Sequence, residues 1–191
     1  MNDNPLPRNT PRLSLRRFAS ADLLPFQAYR TDPDVGRYQG WSALDDAAAA
    51  GFIAGMAAAA FGVPGEWFQI AVADQPTDRL VGDIGICLRD DATRTAEIGF
   101  SLAPAAQRRG LGTEAVNAAV ALLFELETVE RIEGITDARN TPSIRLLERA
   151  GMRVDRIRQA LFKGEMCTEH VYSIARAGWI ESAGVRSGHP R

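Results

Sequence analysis

The apolar and polar positions along the chain divide it into two regimes. Arg12 to Arg17 alternates polar and apolar, the period of two that lays one face of a strand on a core. Asp22 to Tyr29 reads as a short helix, and Thr31-Asp32-Pro33-Asp34 carries turn chemistry. Tyr38-Gln39-Gly40-Trp41 shows no period and is expected as a loop. Ser42 with Asp45 three positions on has the pattern of a capping box, opening an alanine-rich helix to about Ala60 with Phe52, Ile53 and Met56 as its apolar stripe. Trp67 to Ala73 and Leu80 to Leu88 are predicted strands joined by a turn at Asp74 to Asp78, an antiparallel hairpin, and Thr95 to Leu102 is a third strand. The period then lengthens. Leu111, Ala115, Ala118, Ala119, Leu122 and Leu123 recur at helical spacing within Gly110 to Leu126. Arg131 to Thr136 is a strand. Thr141 to Ala150 is a helix, with Asn140 or Thr141 as cap, Pro142 in the first turn and Gly151 as its stop. Arg153 to Phe162 and Cys167 to Arg176 are strands around Lys163-Gly164.

Strand, two helices, three strands, helix, strand, helix, two strands is a meander followed by a βαβ crossover. That order predicts an α/β fold with a mixed sheet and helices on both faces. Residues 1–178 are expected as one domain. The polar, glycine-rich tail 179–191 is expected to lack fixed structure.

Composition narrows the function. A net charge of -2 gives no footprint of a general nucleic-acid binder. The longest apolar run, Ala47 to Val63, is mostly alanine and too weakly hydrophobic for a membrane span, and the N-terminus lacks an apolar signal core. Cys87 and Cys167 are far apart, form no metal spacing, and read as reduced thiols in strands, so no metal is expected and a cytoplasmic location is the simplest reading.

The candidate chemistry sits where the period changes. Gly110-x-Gly112 opens a helix after a strand, where the first N–H groups lack internal partners and the dipole favours anions; Arg108 and Arg109 add positive charge. A plain corner-turning loop is one reading. A dinucleotide fingerprint, with Glu130 downstream, is rejected because Ala103 to Arg109 separate the glycines from the strand and the upstream chain is a meander. A Walker loop is excluded, since no GK[ST] occurs.

The third reading is a resemblance. Gln107-Arg108-Arg109-Gly110-Leu111-Gly112, preceded by Ala96 to Leu102 and followed by Thr113-Glu114-Ala115, resembles the cofactor motif of the GNAT acyltransferase superfamily, in its RimJ/RimL branch. Asn140 to Glu148, ending at Gly151-Met152, is similar too, and the resemblance spans Pro11 to Trp179. It implies acetyl-CoA as acyl donor and an amine acceptor, a small molecule or a protein N-terminus, with no nucleic acid or membrane partner and a homodimer. It also implies that two parallel strands, here those ending at Leu102 and Thr136, splay apart to admit the pantetheine arm. Backbone N–H groups near Phe100, Ser101 and Leu102 would polarise the thioester. Gln107, Arg108, Arg109, Gly110, Leu111, Gly112 and Thr113 would hold the pyrophosphate, with Asn140 and Ser143 beside the arm. Tyr38 and Trp41 would border the acceptor; packing of their loop is the other reading.

For the base, strand alternation places Glu97, Gly99 and Ser101 on one face and Ile98, Phe100 and Leu102 on the other, so Glu97 is expected to face the cleft. Its distance from Gln107 matches that of the glutamate in the histone-acetyltransferase branch; orienting a neighbour is the alternative role. The family's tyrosine for the leaving thiolate falls at Leu147, a departure, which leaves Ser143 as the candidate donor or as a helix serine bonding its own backbone. Leu161-Phe162 stands where RimL-like members place a glutamate. His170 reads as structural, and His189 carries no role. Transfer of a longer acyl group such as succinyl, and a non-catalytic CoA sensor, are the competing functions.

Overall fold

The computed structural model describes residues 5–187. It is a mixed sheet of eight strands, β1 (Arg8–Asn9), β2 (Leu13–Arg16), β3 (Trp67–Asp74), β4 (Leu80–Leu88), β5 (Thr95–Leu102), β6 (Arg131–Asp137), β7 (Arg153–Phe162) and β8 (Glu165–Ala175), in the order β1-β2-β3-β4-β5-β6-β8-β7. The first five strands run antiparallel to their neighbours, β5 and β6 pair in parallel, and β8 inserts antiparallel between β6 and the edge strand β7. The expected architecture of meander, crossover and helices on both faces is therefore present.

Two helices cover one face. α4 (Leu111–Glu125) is the β5–β6 crossover, and α5 (Thr141–Arg149) follows β6. They bury Leu111, Val116, Val120, Leu123, Leu146 and Leu147 against Ile70, Ile84, Ile98 and Ile132 of the sheet. The other face carries α1 (Leu23–Arg30), α2 (Pro33–Gly36) and α3 (Asp46–Ala58), with Phe18, Phe26, Tyr29, Ala49 and Ile53 packed on Ala71 and Leu80. Cys87 and Cys167 are free, in β4 and β8.

Three local expectations are corrected. The alanine-rich helix starts later, at Asp46. Its cap is Asp45, in extended backbone, whose carboxylate accepts from the Ala48 amide at 2.8 Å; Ser42 lies outside the helix. The segment expected only as a turn at 31–34 runs into α2, capped by the Asp32 carboxylate. The tail expected to be unstructured from 179 is instead helical, α6 (Arg176–Ser187), because Trp179 has an aromatic partner in Phe124 at 5.6 Å between ring centroids. Residues 188–191, with His189, lie outside the described residues.

One charged cluster joins the two halves of the core. Asp83 of β4, 2% exposed, accepts from the Tyr29 hydroxyl at 2.8 Å and pairs with Arg30, both on α1. The Arg30 guanidinium lies against aromatic rings, 4.8 Å from the Phe26 centroid and 4.3 Å from the Trp41 centroid. Removing one partner of such a pair strands the other charge in the interior, so Asp83→Ala is expected to destabilise the fold by about 3–5 kcal/mol, read by urea denaturation; a loss below about 1 kcal/mol would mean that the pair is solvated.

Candidate active site

β5 and β6 pair in parallel from Thr95↔Arg131 to Ile98↔Gly134 and no further. Beyond that point β5 stays bonded to β4 as far as Leu102↔Gly82, and β6 stays bonded to β8 as far as Asp137↔Glu169. The two strands thus diverge while each keeps its outer partner. The gap between them is a slot of about 50 Å³ bordered by Tyr38, Gln39, Phe100, Asn140, Ser143 and Leu147. Gln39, which the sequence reading did not single out, donates its amide to the Phe100 carbonyl at 3.1 Å. In a strand the N–H and C=O of one residue point to the same side, so the Phe100 amide is also aimed away from β4 into the gap.

At the slot's inner end, the helix α5 begins on Asn140, whose side chain accepts from the Ser143 amide at 3.4 Å. Asn140 is therefore the cap, and among the described residues the Ser143 hydroxyl makes no hydrogen bond of its own. Leu147, fully buried, fills the space beside Gly134, where a Cβ would come within 2.8 Å of it.

The glycine loop lies at the start of α4. Gly110 is its cap, at φ 78°, a left-handed conformation that favours glycine. Arg12 braces this turn: one guanidinium nitrogen donates to the Arg109 carbonyl at 2.9 Å, while Nε reaches Glu114 at 2.7 Å. Burial opposes ionisation of Glu114, but the bonds from Thr10 and Arg12 outweigh it and hold the carboxyl below its ordinary range. Gln107 donates to the Leu102 carbonyl at 3.0 Å, tying the loop to the end of β5. Backbone amides from Arg108 to Thr113 have no hydrogen-bond partner among the described residues, and the side chains of Arg108 and Arg109 are exposed without an ion pair. Gly112 has a packing role. Its missing Cβ would lie 2.6 Å from Leu146 and 2.9 Å from Leu102, so the close packing of α4 on β5 and α5 itself requires glycine here.

Glu97 lies on the face opposite α4, paired across the sheet with Cys87 and Glu133. Burial pushes its carboxyl up, the Arg89 charge opposes this, and the Glu133 charge adds to it. Glu133, missed by the sequence reading, is 2% exposed and takes Arg89 at 2.6 Å, Arg131 at 3.2 Å and Arg156 at 2.9 Å. Glu133 stays below its ordinary range although burial works against it, because those arginines donate to it. With the cations spent there, Glu97 has no ion pair among the described residues. Sequence could not show this, since the three arginines come from three separate segments.

The structure therefore brings Tyr38, Phe100, Asn140 and Ser143 together at the slot. The 107–113 loop, tied by Gln107 to the end of β5, lies outside its lining, and Glu97 lies in the paired stretch, one residue before the last β5–β6 pair. Ser101 is buried behind the slot, and Leu102 points to α4. Trp41 faces a second cavity. His170 is half-buried opposite Thr136, with its Nδ1 enclosed and unpartnered among the described residues.

Comparison with known proteins agrees with this geometry. Residues 12–153 match the Acetyltransferase (GNAT) domain family. The chain is similar to the uncharacterized N-acetyltransferase p20 of Bacillus licheniformis, 29% identical over 138 residues, covering 72% of this chain and 77% of that one. A GNAT-family acetyltransferase from Bacillus anthracis shares the fold with a TM-score of 0.77 at 24% identity, over 88% of this chain and 98% of that one. Mycobacterium smegmatis RimJ, solved with CoA-disulfide, shares it at 0.71 and 19% identity, over 90% of this chain and 89% of that one. With the family matched over most of its length and the parallel strands parted where that family's fold parts them, the chain belongs to the GNAT acetyltransferases and is an acyl-CoA-dependent N-acyltransferase.

Proposed function

We propose that the enzyme transfers an acetyl group from acetyl-CoA to a primary amine. The observation that carries this reading is the slot, which holds no cationic side chain in its lining, taken with the uncommitted amides and arginines of the loop that follows β5. A succinyl-type acyl group would bring a carboxylate into that lining with nothing to meet it, so the short acyl group is favoured. A thiol-release assay with acetyl-CoA and an amine panel tests the reading, and release with no amine would sink it.

Acetyl-CoA supplies a thioester whose acyl carbon is the electrophile. The amides of Arg108 to Thr113, with Arg108 and Arg109, fit its pyrophosphate, and the Phe100 amide fits the developing negative charge on the acyl oxygen. Entry of the pantetheine arm into so narrow a slot displaces the Gln39 amide from the Phe100 carbonyl. Glu97 takes the proton that the ammonium form must lose, the nitrogen lone pair forms the new C–N bond, the C–S bond breaks, and the second proton of the attacking nitrogen passes to the departing sulfur, which leaves as the free thiol. The Ser143 hydroxyl donates to the departing sulfur. Tyr38 and Trp41 border the acceptor. A homodimer and a cytoplasmic location belong to the same proposal; the exposed apolar side chains of Ile157, Leu161 and Met166 on the β7–β8 hairpin support a protein contact there.

Reversing both loop charges, with Arg108→Glu and Arg109→Glu, should weaken acetyl-CoA by about tenfold or more in calorimetry without lowering the melting temperature, since neither side chain is paired in the fold. Unchanged affinity would remove the loop from the site.

Glu97→Gln should lower turnover by about 100-fold while CoA affinity holds. A base works ionised, and its folded pKa is raised; activity in the wild type should therefore fall with decreasing pH through a limb above the ordinary carboxylate range, and Glu97→Gln should lose that limb. A limb that survives the substitution assigns it to another group.

Ser143→Ala should reduce turnover and leave the melting temperature alone, because its hydroxyl makes no bond in the fold. Asn140→Ala should instead cost about 1 kcal/mol of stability as a lost cap. The reverse pattern would make Ser143 structural.

A further inference from the structure

A second cavity, of about 300 Å³, opens on the other side of the loop that borders the slot. Tyr38 and Gln39 face the slot; Gly36, Arg37, Trp41 and Ser42 of the same loop face this cavity. We infer that it binds a carboxylate or phosphate group carried by the acceptor, so that the acceptor is a small amino acid or aminoalkyl phosphate and not a simple amine or polyamine. The inference rests on the acetyltransferase reading for the amine, and on the cavity alone for the anion.

Three cations reach the cavity wall from three separate segments: Arg30 from the end of α1, Arg37 after α2, and Lys163 from the tip of the β7–β8 hairpin. That convergence runs against the chain's net charge of -2, so it is not a sample of the average surface. Arg30 is the fixed one. It is 8% exposed, anchored below by Asp83 and stacked 4.3 Å from the Trp41 ring, and its Nε is buried without an acceptor among the described residues. Lys163 sits in a tight turn at φ 51°, followed by Gly164 at φ 84°, and reaches across to donate to the Gly36 carbonyl at 2.8 Å, leaving two ammonium protons free. Arg37 is exposed, 5.2 Å from the Tyr38 ring.

The single acid in the lining, Asp32, does not cancel this set. Its carboxylate accepts from the Asp34 and Val35 amides at 2.9 and 3.2 Å as the cap of α2. Asp83 offsets Arg30 from beneath and the Asp32 carboxylate offsets one further charge, so Arg37 and Lys163 together still leave the wall positive. The Ser42 hydroxyl adds a donor with no partner among the described residues. Guanidinium and ammonium groups around a cavity at the lower end of small-ligand volumes suit one carboxylate or phosphate on a molecule of amino-acid size. A polyamine would place a positive charge against them.

The test compares three acceptors of similar length, pentylamine, 5-aminopentanoate and 4-aminobutyl phosphate, by thiol release from acetyl-CoA. At least one anionic amine should exceed pentylamine by about tenfold or more in kcat/KM, and which one it is separates carboxylate from phosphate. Arg37→Glu and Lys163→Glu, each checked for an unchanged melting temperature, should lose most of that preference through KM. Equal values for the three acceptors, or a preference that survives both variants, would overturn the proposal. So would variant losses confined to succinyl-CoA as donor, which would assign the anion to the acyl group. If no amine accepts acetyl at all, the reaction reading fails by itself. Calorimetric titration with glutarate and inorganic phosphate then decides the anion site: binding to the wild type but not to Lys163→Glu sustains it, and no binding to the wild type ends it.

Discussion

The parting of β5 from β6 is the constraint on which everything else depends. A buried strand edge with unmet N–H and C=O groups is costly, and two parallel neighbours would ordinarily zip to their ends. Here each is held by its other neighbour over its full length: β5 to β4 through Leu102, β6 to β8 through Asp137. The Phe100 N–H and C=O, which β4 does not use, are left facing the gap. Leu147 and Leu146 wedge α5 beneath the divergence, and the glycines at 134 and 112 let it approach so closely. The gap is therefore preorganised by bonds outside it. Its exposed backbone groups are free to meet a ligand, and in its absence the Gln39 amide serves one of them.

The same sheet tunes its polar face by competition. β6, β7 and β8 carry no helix on the Glu97 side, and a dense set of charges takes its place. Arg89, Arg131 and Arg156 all turn to Glu133, which is the more deeply buried of the two paired glutamates. Glu97, directly across the parallel pair, is left with a half-buried carboxyl and like charges beside it, opposed only by the fields of Arg89 and Arg158. An ionised neighbour and partial desolvation both disfavour the charged form, which brings a carboxylate closer to what proton abstraction from an ammonium needs.

Most of the frame was legible because local pattern and tertiary context agreed. Alternation located β2 to β5, helical spacing located α4 and α5, and Asn140 and Gly151 bounded α5 as their types suggest. The misses have physical causes. Ser42 and Asp45 have equal claims to a cap by residue type; only the extended backbone at Asp45 decides. The polar segment after 176 becomes α6 because Trp179 finds Phe124, a contact far away in sequence. Gly112 belonged to a motif read as ligand-facing, and its packing role against Leu146 and Leu102 could not be read from the motif. Gln39 had no distinguishing signal, since its role depends on a carbonyl that β6 fails to pair. The cations of the second cavity are scattered over 30, 37 and 163 and form no motif at all.

That scatter bears on how acceptor choice and cofactor binding are divided in this fold. The slot is built from sheet and helix ends, elements locked by the two ladders and the α4–α5 core. The acceptor side is built from a short loop, a hairpin tip and one arginine on α1. Among these Arg30 is the enclosed one, held by the Asp83 pair and set against the Phe26 and Trp41 rings. It thereby fixes Trp41, and Trp41 fixes one end of the loop whose other residues, Tyr38 and Gln39, close the slot. A charge arriving beside Arg30 and a pantetheine arm displacing Gln39 would therefore act on opposite ends of the same few residues. The loop is thus shared by the two cavities, with Tyr38 and Gln39 on one and Trp41 on the other.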